Sequence, residues 1–157
     1  MQFRFALLFP LLAAGICAAQ QPGVGFSVIG VAATQTARIN VLNEAPDSLA
    51  ALGCRAVLQF FGTDGQLLKE LTIDNLGPGK IAFLDFAAAD RQNKEGRTPV
   101  RAVVRSGYGG GANPPPKLLE ACRVVPNLEI FDADTGKTQR LLVDTRALAV
   151  DSRDLPL

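Results

Sequence analysis

The chain has 157 residues, with 16 Lys and Arg against 15 Asp and Glu, and neither His nor Trp. Without His, neither a Ser-His-Asp or Cys-His site nor a zinc site of the usual kind can be built from this chain. The near-neutral charge gives no long-range pull toward nucleic acid or an anionic membrane.

The first stretch, MQFRFALLFPLLAAGICAAQQ, joins one positive charge, Arg4, to an apolar run from Phe5 to Ala14 and then to small residues. This is the layout of a secretory signal peptide, and the run is too short to span a bilayer. It predicts removal of residues 1–19, with Cys17 and Ala19 at the small-residue cleavage positions. A buried apolar N-terminal segment is the alternative, and Ile16 is a poor residue to precede a lipidated Cys17. Cleavage removes Arg4 and no acid, so the mature chain would be neutral, with 15 basic and 15 acidic residues. It has the length of a single domain, residues 20–157, with no second membrane-length apolar run. The expected location is secreted or periplasmic. Cys54 and Cys122 would remain as an even pair and, in an oxidising compartment, are expected to form a disulfide.

Beyond the signal, short alternating runs follow one another. They are GFSVIGVAA (25–33), TARINVLN (36–43), CRAVLQFF (54–61), LLKELTIDNL (67–76), KIAFLDFA (80–87), PVRAVVR (99–105), CRVVPNLEIF (122–131) and KTQRLLV (137–143). Period-two alternation rich in β-branched and aromatic residues marks strands buried on one face. About eight such runs, separated by Gly, Pro and Asp, predict an all-β antiparallel sandwich of about 7–8 strands, with a small barrel as the alternative. APDSLAAL (45–52) and FAAADRQN (86–93) each allow one helical turn. From about residue 144 the chain reads as a loose tail.

The ARINVLN strand, the LGPGKIAFLDF turn-then-strand and the VRAVVR strand together resemble bacterial exported immunoglobulin-like or fibronectin-like domains. The resemblance covers most of residues 25–143 and implies a fold without implying an activity. The chain lacks the Trp that packs on the disulfide of antibody-type domains.

One internal echo is present. CRAVLQFFGTDGQLL and CRVVPNLEIFDADTGKTQRLL each run Cys-Arg-small-Val, then an apolar strand ending in Phe, an Asp-Gly turn and a return strand. The echo bears on FDADTGKT (131–138), which resembles both a calcium loop and the end of a phosphate loop. A phosphate loop needs Gly where Phe131 stands. A calcium loop opening at Asp132 would need a ligand at Gly136, Gly at Lys137 and Glu at Val143. The stretch therefore reads as a hairpin turn, with Gly136 supplying φ > 0.

Carboxylate-only catalysis would have to use Asp74, Asp85, Asp90, Asp132 or Asp134, and no spacing pairs any two of them. Two features read as possible binding elements. One is the loop SGYGGGANPPPK (106–117), with Tyr108 and Asn113 at its tip. The other is a set of outward arginines, Arg38, Arg55, Arg101, Arg105 and Arg123, of which Arg101 and Arg105 share a strand with that loop. A mobile loop tip and charges that serve only solubility and edge protection are the bland counterparts. The reading is an exported, non-catalytic interaction or adhesion-type module, with no cofactor, no metal and no nucleic acid, and with another protein or envelope component as partner. A carboxylate-based hydrolase and a structural, pilus-like subunit with an open groove or donated strand are the alternatives.

Overall fold

The computed structural model describes residues 23–46, 53–88, 96–107, 122–143 and 148–149. Ten strands follow in order: β1 (Gly23–Gly25), β2 (Ile29–Ala32), β3 (Gln35–Asn43), β4 (Cys54–Gly62), β5 (Leu67–Leu76), β6 (Ile81–Ala87), β7 (Arg97–Gly107), β8 (Arg123–Asp132), β9 (Thr138–Val143) and β10 (Leu148–Ala149). They form two antiparallel sheets. In the front sheet β7 pairs with β4 and β4 with β5, while β1 and β2 lie end to end along the far side of β7. In the back sheet β8 pairs with β3 and β3 with β6, while β9 and β10 lie end to end along the far side of β8.

Alternation within each strand decides which face packs. Cys54, Ala56, Leu58 and Phe60 of β4 point inward with Val100, Ala102 and Val104 of β7. From the back sheet they meet Ala37, Ile39 and Val41 of β3 and Val124, Leu128 and Ile130 of β8. Phe60 touches Phe86 across the interlayer space, ring centroids 5.4 Å apart. Burying each Val, Leu, Ile or Phe among them contributes roughly 1.5–3 kcal/mol, so the aligned inner faces hold the sheets together.

The all-β sandwich expected from the alternation is present; seven of the eight sequence runs are single strands, and the first, GFSVIGVAA, is interrupted at residues 26–28 and supplies β2 only over Ile29–Ala32. Two separate sheets, each with free edges, replace the barrel alternative. The two further strands, β1 and β10, have three and two residues, too few for alternation to register. Phe86 and Ala87 complete β6, because Phe86 is needed in the core, and the helical turn expected at FAAADRQN opens only at Ala88, in a 3-10 conformation. Residues 89–93 of that stretch, residues 47–52 of the other proposed turn, the signal segment and most of the tail lie outside the described residues.

The strand order departs from the immunoglobulin one: the last long strand, β8, joins β3 and not its predecessor β7, and the opening strands β1 and β2 join β7 and not β3.

The internal echo becomes two hairpins, β4–β5 in the front sheet and β8–β9 in the back one. Each carries a register shift just before its turn, at Phe60/Phe61 and at Ile130/Phe131. Each turn contains a Gly at positive φ, Gly65 at 79° and Gly136 at 68°. The first residues of the two copies, Cys54 and Cys122, are joined by a disulfide with their Cα atoms 5.0 Å apart.

Candidate functional site

The arginines divide between the two outer faces. Arg55, Arg101 and Arg105 lie on the front sheet, Arg38 and Arg123 on the back one, so the five form no single stripe. Most of them are occupied. Arg55 Nε lies 3.5 Å from Asp74 Oδ1, too poorly aligned to count as a hydrogen bond. The Arg123 Nε to Glu44 Oε2 distance is 3.6 Å. The Arg101 guanidinium stands 5.4 Å above the Phe61 ring. Arg105 is exposed and has no ion pair among the described residues. Tyr108 and Asn113 of the other proposed binding element lie outside the described residues.

Arg38 is the best-held charge. It donates from Nε and Nη2 to the two Asp85 oxygens, at 2.6 and 2.7 Å. Its plane is flanked by Phe83 at 4.3 Å and Phe131 at 5.0 Å. The hydrogen bonds it donates to Asp85 and the nearby Asp85 and Glu129 charges raise its pKa, against the opposing pull of partial burial. Phe61 and Phe131 hold equivalent places in the two hairpins, and each carries an arginine from the next strand.

Of the five candidate aspartates, Asp90 lies outside the described residues and the other four are spread over three elements. Asp74 faces Arg55 on β5, Asp85 faces Arg38 on β6, and Asp132 and Asp134 lie at the β8–β9 turn. Asp132 Oδ1 accepts from the Thr135 N–H and hydroxyl, each at 2.8 Å, and these bonds lower its pKa. Gly136 N donates to Asp132 O at 2.9 Å, closing the turn. FDADTGKT is thus a hairpin tip whose leading carboxylate bonds its own backbone. No group of three or more metal-ligating side chains gathers among the described residues.

A cavity of about 200 Å³ opens between the β2 and β9 edges, lined by Ile29, Gly30, Gln35, Arg97, Ile130 and Arg140, among others. This falls below the range of about 300–1,000 Å³ usual for small-molecule pockets.

The back sheet's outer face is a different kind of surface. The registers place side chains on it in rows: Leu141, Glu129, Arg38 and Asp85; then Val143, Asn127, Asn40 and Phe83; then Val125, Leu42 and Ile81. Arg38–Asp85 and Asn40–Asn127 (2.9 Å) satisfy the polar centre internally, and Glu129 accepts from the Thr138 hydroxyl. The flanks are apolar and uncovered: Ile81 is 69% exposed, Leu141 56%, Val143 55% and Phe83 52%. Four of the six exposed large hydrophobics among the described residues therefore share this one face. The front sheet's outer face instead carries Arg55–Asp74, Gln59–Glu70, Arg101 and Arg105. Alternation had shown that Ile81, Phe83, Leu141 and Val143 point away from the core, and only the strand order shows that they share a surface.

No family model matches the chain, and no curated protein does. Two solved structures are similar to parts of it. The first, "Structure of infectious bursal disease virus Gx strain", is 13% identical with a TM-score of 0.32, covering 77% of this chain and 34% of the viral one. The second, from the Gt strain of the same virus, is 13% identical with a TM-score of 0.31, covering 83% and 33%. The chain thus spans about a third of either viral chain, and likeness at that level carries no argument about function.

Proposed function

We propose that the chain is an exported, non-catalytic interaction module that binds another protein of the cell envelope or extracellular space. The observation that carries this reading is the outer face of the back sheet. Single exposed hydrophobics are ordinary on a protein surface, whereas four of the six exposed large hydrophobics among the described residues gathered on one face, around charges already paired with each other, mark a surface available to a partner. Export is supported by the N-terminal sequence and by the disulfide, which persists in oxidising compartments. The described carboxylates favour this reading over a hydrolase, because Asp85 and Asp132 are spent on Arg38 and on a turn.

The test is site-specific photocrosslinking in the producing cells. A photoreactive residue at Leu141 should yield an adduct of one discrete mass, and the same residue at Thr72, on the opposite outer face, should yield none. Absence of any adduct from Leu141, or hydrolase activity abolished by Asp85→Asn, would overturn the reading.

A further inference from the structure

A two-sheet sandwich has four edges, and three of them here carry the devices that blunt an edge against pairing with another chain. The β5 edge has two register shifts against β4 and exposes Lys69, Glu70 and Asp74. The β1/β2 edge consists of two short pieces separated by residues 26–28. The β9/β10 edge is likewise in two pieces and is bulged at Ile130/Phe131.

The fourth edge, β6, is blunted only at its start, where Gly79 and Lys80 both oppose Asn43, and carries none of these devices along Ile81–Ala87. Its seven residues, IAFLDFA, pair with β3 without a register shift and contain neither Pro, Gly nor Lys. Its one charge, Asp85, is neutralised by Arg38.

The hydrogen-bond phase of that edge follows from the contacts at its start. Asn43 N donates to Lys80 O at 3.1 Å, while Asn43 O accepts from Gly79 N at 2.8 Å and Lys80 N donates to Gly77 O at 3.1 Å, so the turn before β6 ends in a bulge that turns the Lys80 carbonyl toward β3. Alternation along an antiparallel ladder then turns the backbone groups of Ala82, Leu84 and Phe86 toward β3. Those of Ile81, Phe83, Asp85 and Ala87 are turned away from it. The same four residues place their side chains on the outer face, where Ile81 and Phe83 are exposed.

We infer that β6 pairs antiparallel with β6 of a second copy of this chain, joining two back sheets into one continuous sheet about a two-fold axis. The inference rests on the same face as the reading above but names a different partner. The strand is complementary to itself. Full overlap centred on Leu84 sets each Ile81, the most exposed apolar side chain, opposite Ala87 of the partner subunit, which leaves room for it. Each Phe83 then lies opposite Asp85 of the partner subunit. No like charges meet, and every outward N–H and C=O of the strand gains a partner.

Sedimentation of the purified, oxidised chain across a concentration series tests this. The wild type should sediment as a dimer and Ile81→Lys as a monomer with unchanged circular dichroism, because an exposed Ile81 side chain is not needed for the fold. Ala87→Pro removes one outward N–H while sparing the β3 ladder, and should shift the dimer constant at least tenfold toward monomer. Leu141→Lys, on the opposite flank, should leave the dimer intact. A wild type that stays monomeric throughout would overturn the self-pairing and leave the crosslinking at Leu141 to decide the reading above. Dissociation by Leu141→Lys but not by Ile81→Lys would also overturn it.

Discussion

Asn43 does more for the fold than its residue type suggests. It is fully buried at the end of β3 and bonds three separate segments. Nδ2 donates to Leu76 O at 2.9 Å, while Oδ1 accepts from Ala45 N at 3.1 Å and Arg123 N at 3.2 Å. An unsatisfied buried backbone group costs about 1–3 kcal/mol, so Asn43→Ala should destabilise by about 3 kcal/mol or more, read from chemical denaturation. Asn43→Leu should not rescue it, since it restores volume but no hydrogen bond. Ser106 is the opposite case, fully buried with a hydroxyl that has no hydrogen-bond partner among the described residues. Asp132 supplies the pH dependence. Its folded pKa lies below the ordinary value near 3.8, so its bonds to Thr135 are present above that value and are lost as pH falls through the folded pKa. A carboxyl titration followed by NMR should show the depressed midpoint, and Thr135→Val should move it back up.

Hairpins are the element in which sequence and structure agree most closely. The local chemistry is complete in each: a strand ending in Phe, an Asp that bonds nearby backbone, and a Gly at positive φ. Gly136 has open space around its missing Cβ, so its φ of 68° alone resists substitution. Gly136→Val should cost about 1–2 kcal/mol. Gly25→Ala, in equally open space without positive φ, should stay within about 0.5 kcal/mol. Millimolar calcium should leave the melting temperature unchanged, whereas a ligand at a hundred times its Kd would add about 2.7 kcal/mol. A calcium-induced rise abolished by Asp132→Ala would refute the turn as the whole account of FDADTGKT.

Over the whole molecule, the disulfide links the two sheets at matching points of the two hairpins. It joins residues 68 apart in sequence, and on the chain-entropy account a loop of that size stabilises by roughly 4 kcal/mol. Cys54→Ala with Cys122→Ala should lose about that amount in denaturant without changing the strand content seen by circular dichroism. Two labelled thiols in the native oxidised protein would contradict the link. The rest of the stability comes from the interlayer core, where Leu58, Phe60, Ile39 and Leu128 are all fully buried.

Eight strands, both hairpins and the cysteine pair were legible in the sequence, because alternation, turn residues and cysteine parity are local or compositional signals. Alternation separates a strand's inner face from its outer one but says nothing about which strand lies beside it. Tertiary structure therefore decided that β8 joins β3 and that β1 and β2 join β7. It also decided that Arg38 meets Asp85, 47 residues away, and that Asn43 reaches Arg123, 80 residues away. The candidate face depends on the same information. Ile81, Phe83, Leu141 and Val143 are unremarkable in their own strands, and they become one surface only because long-range pairing places β6 and β9 at opposite edges of one sheet.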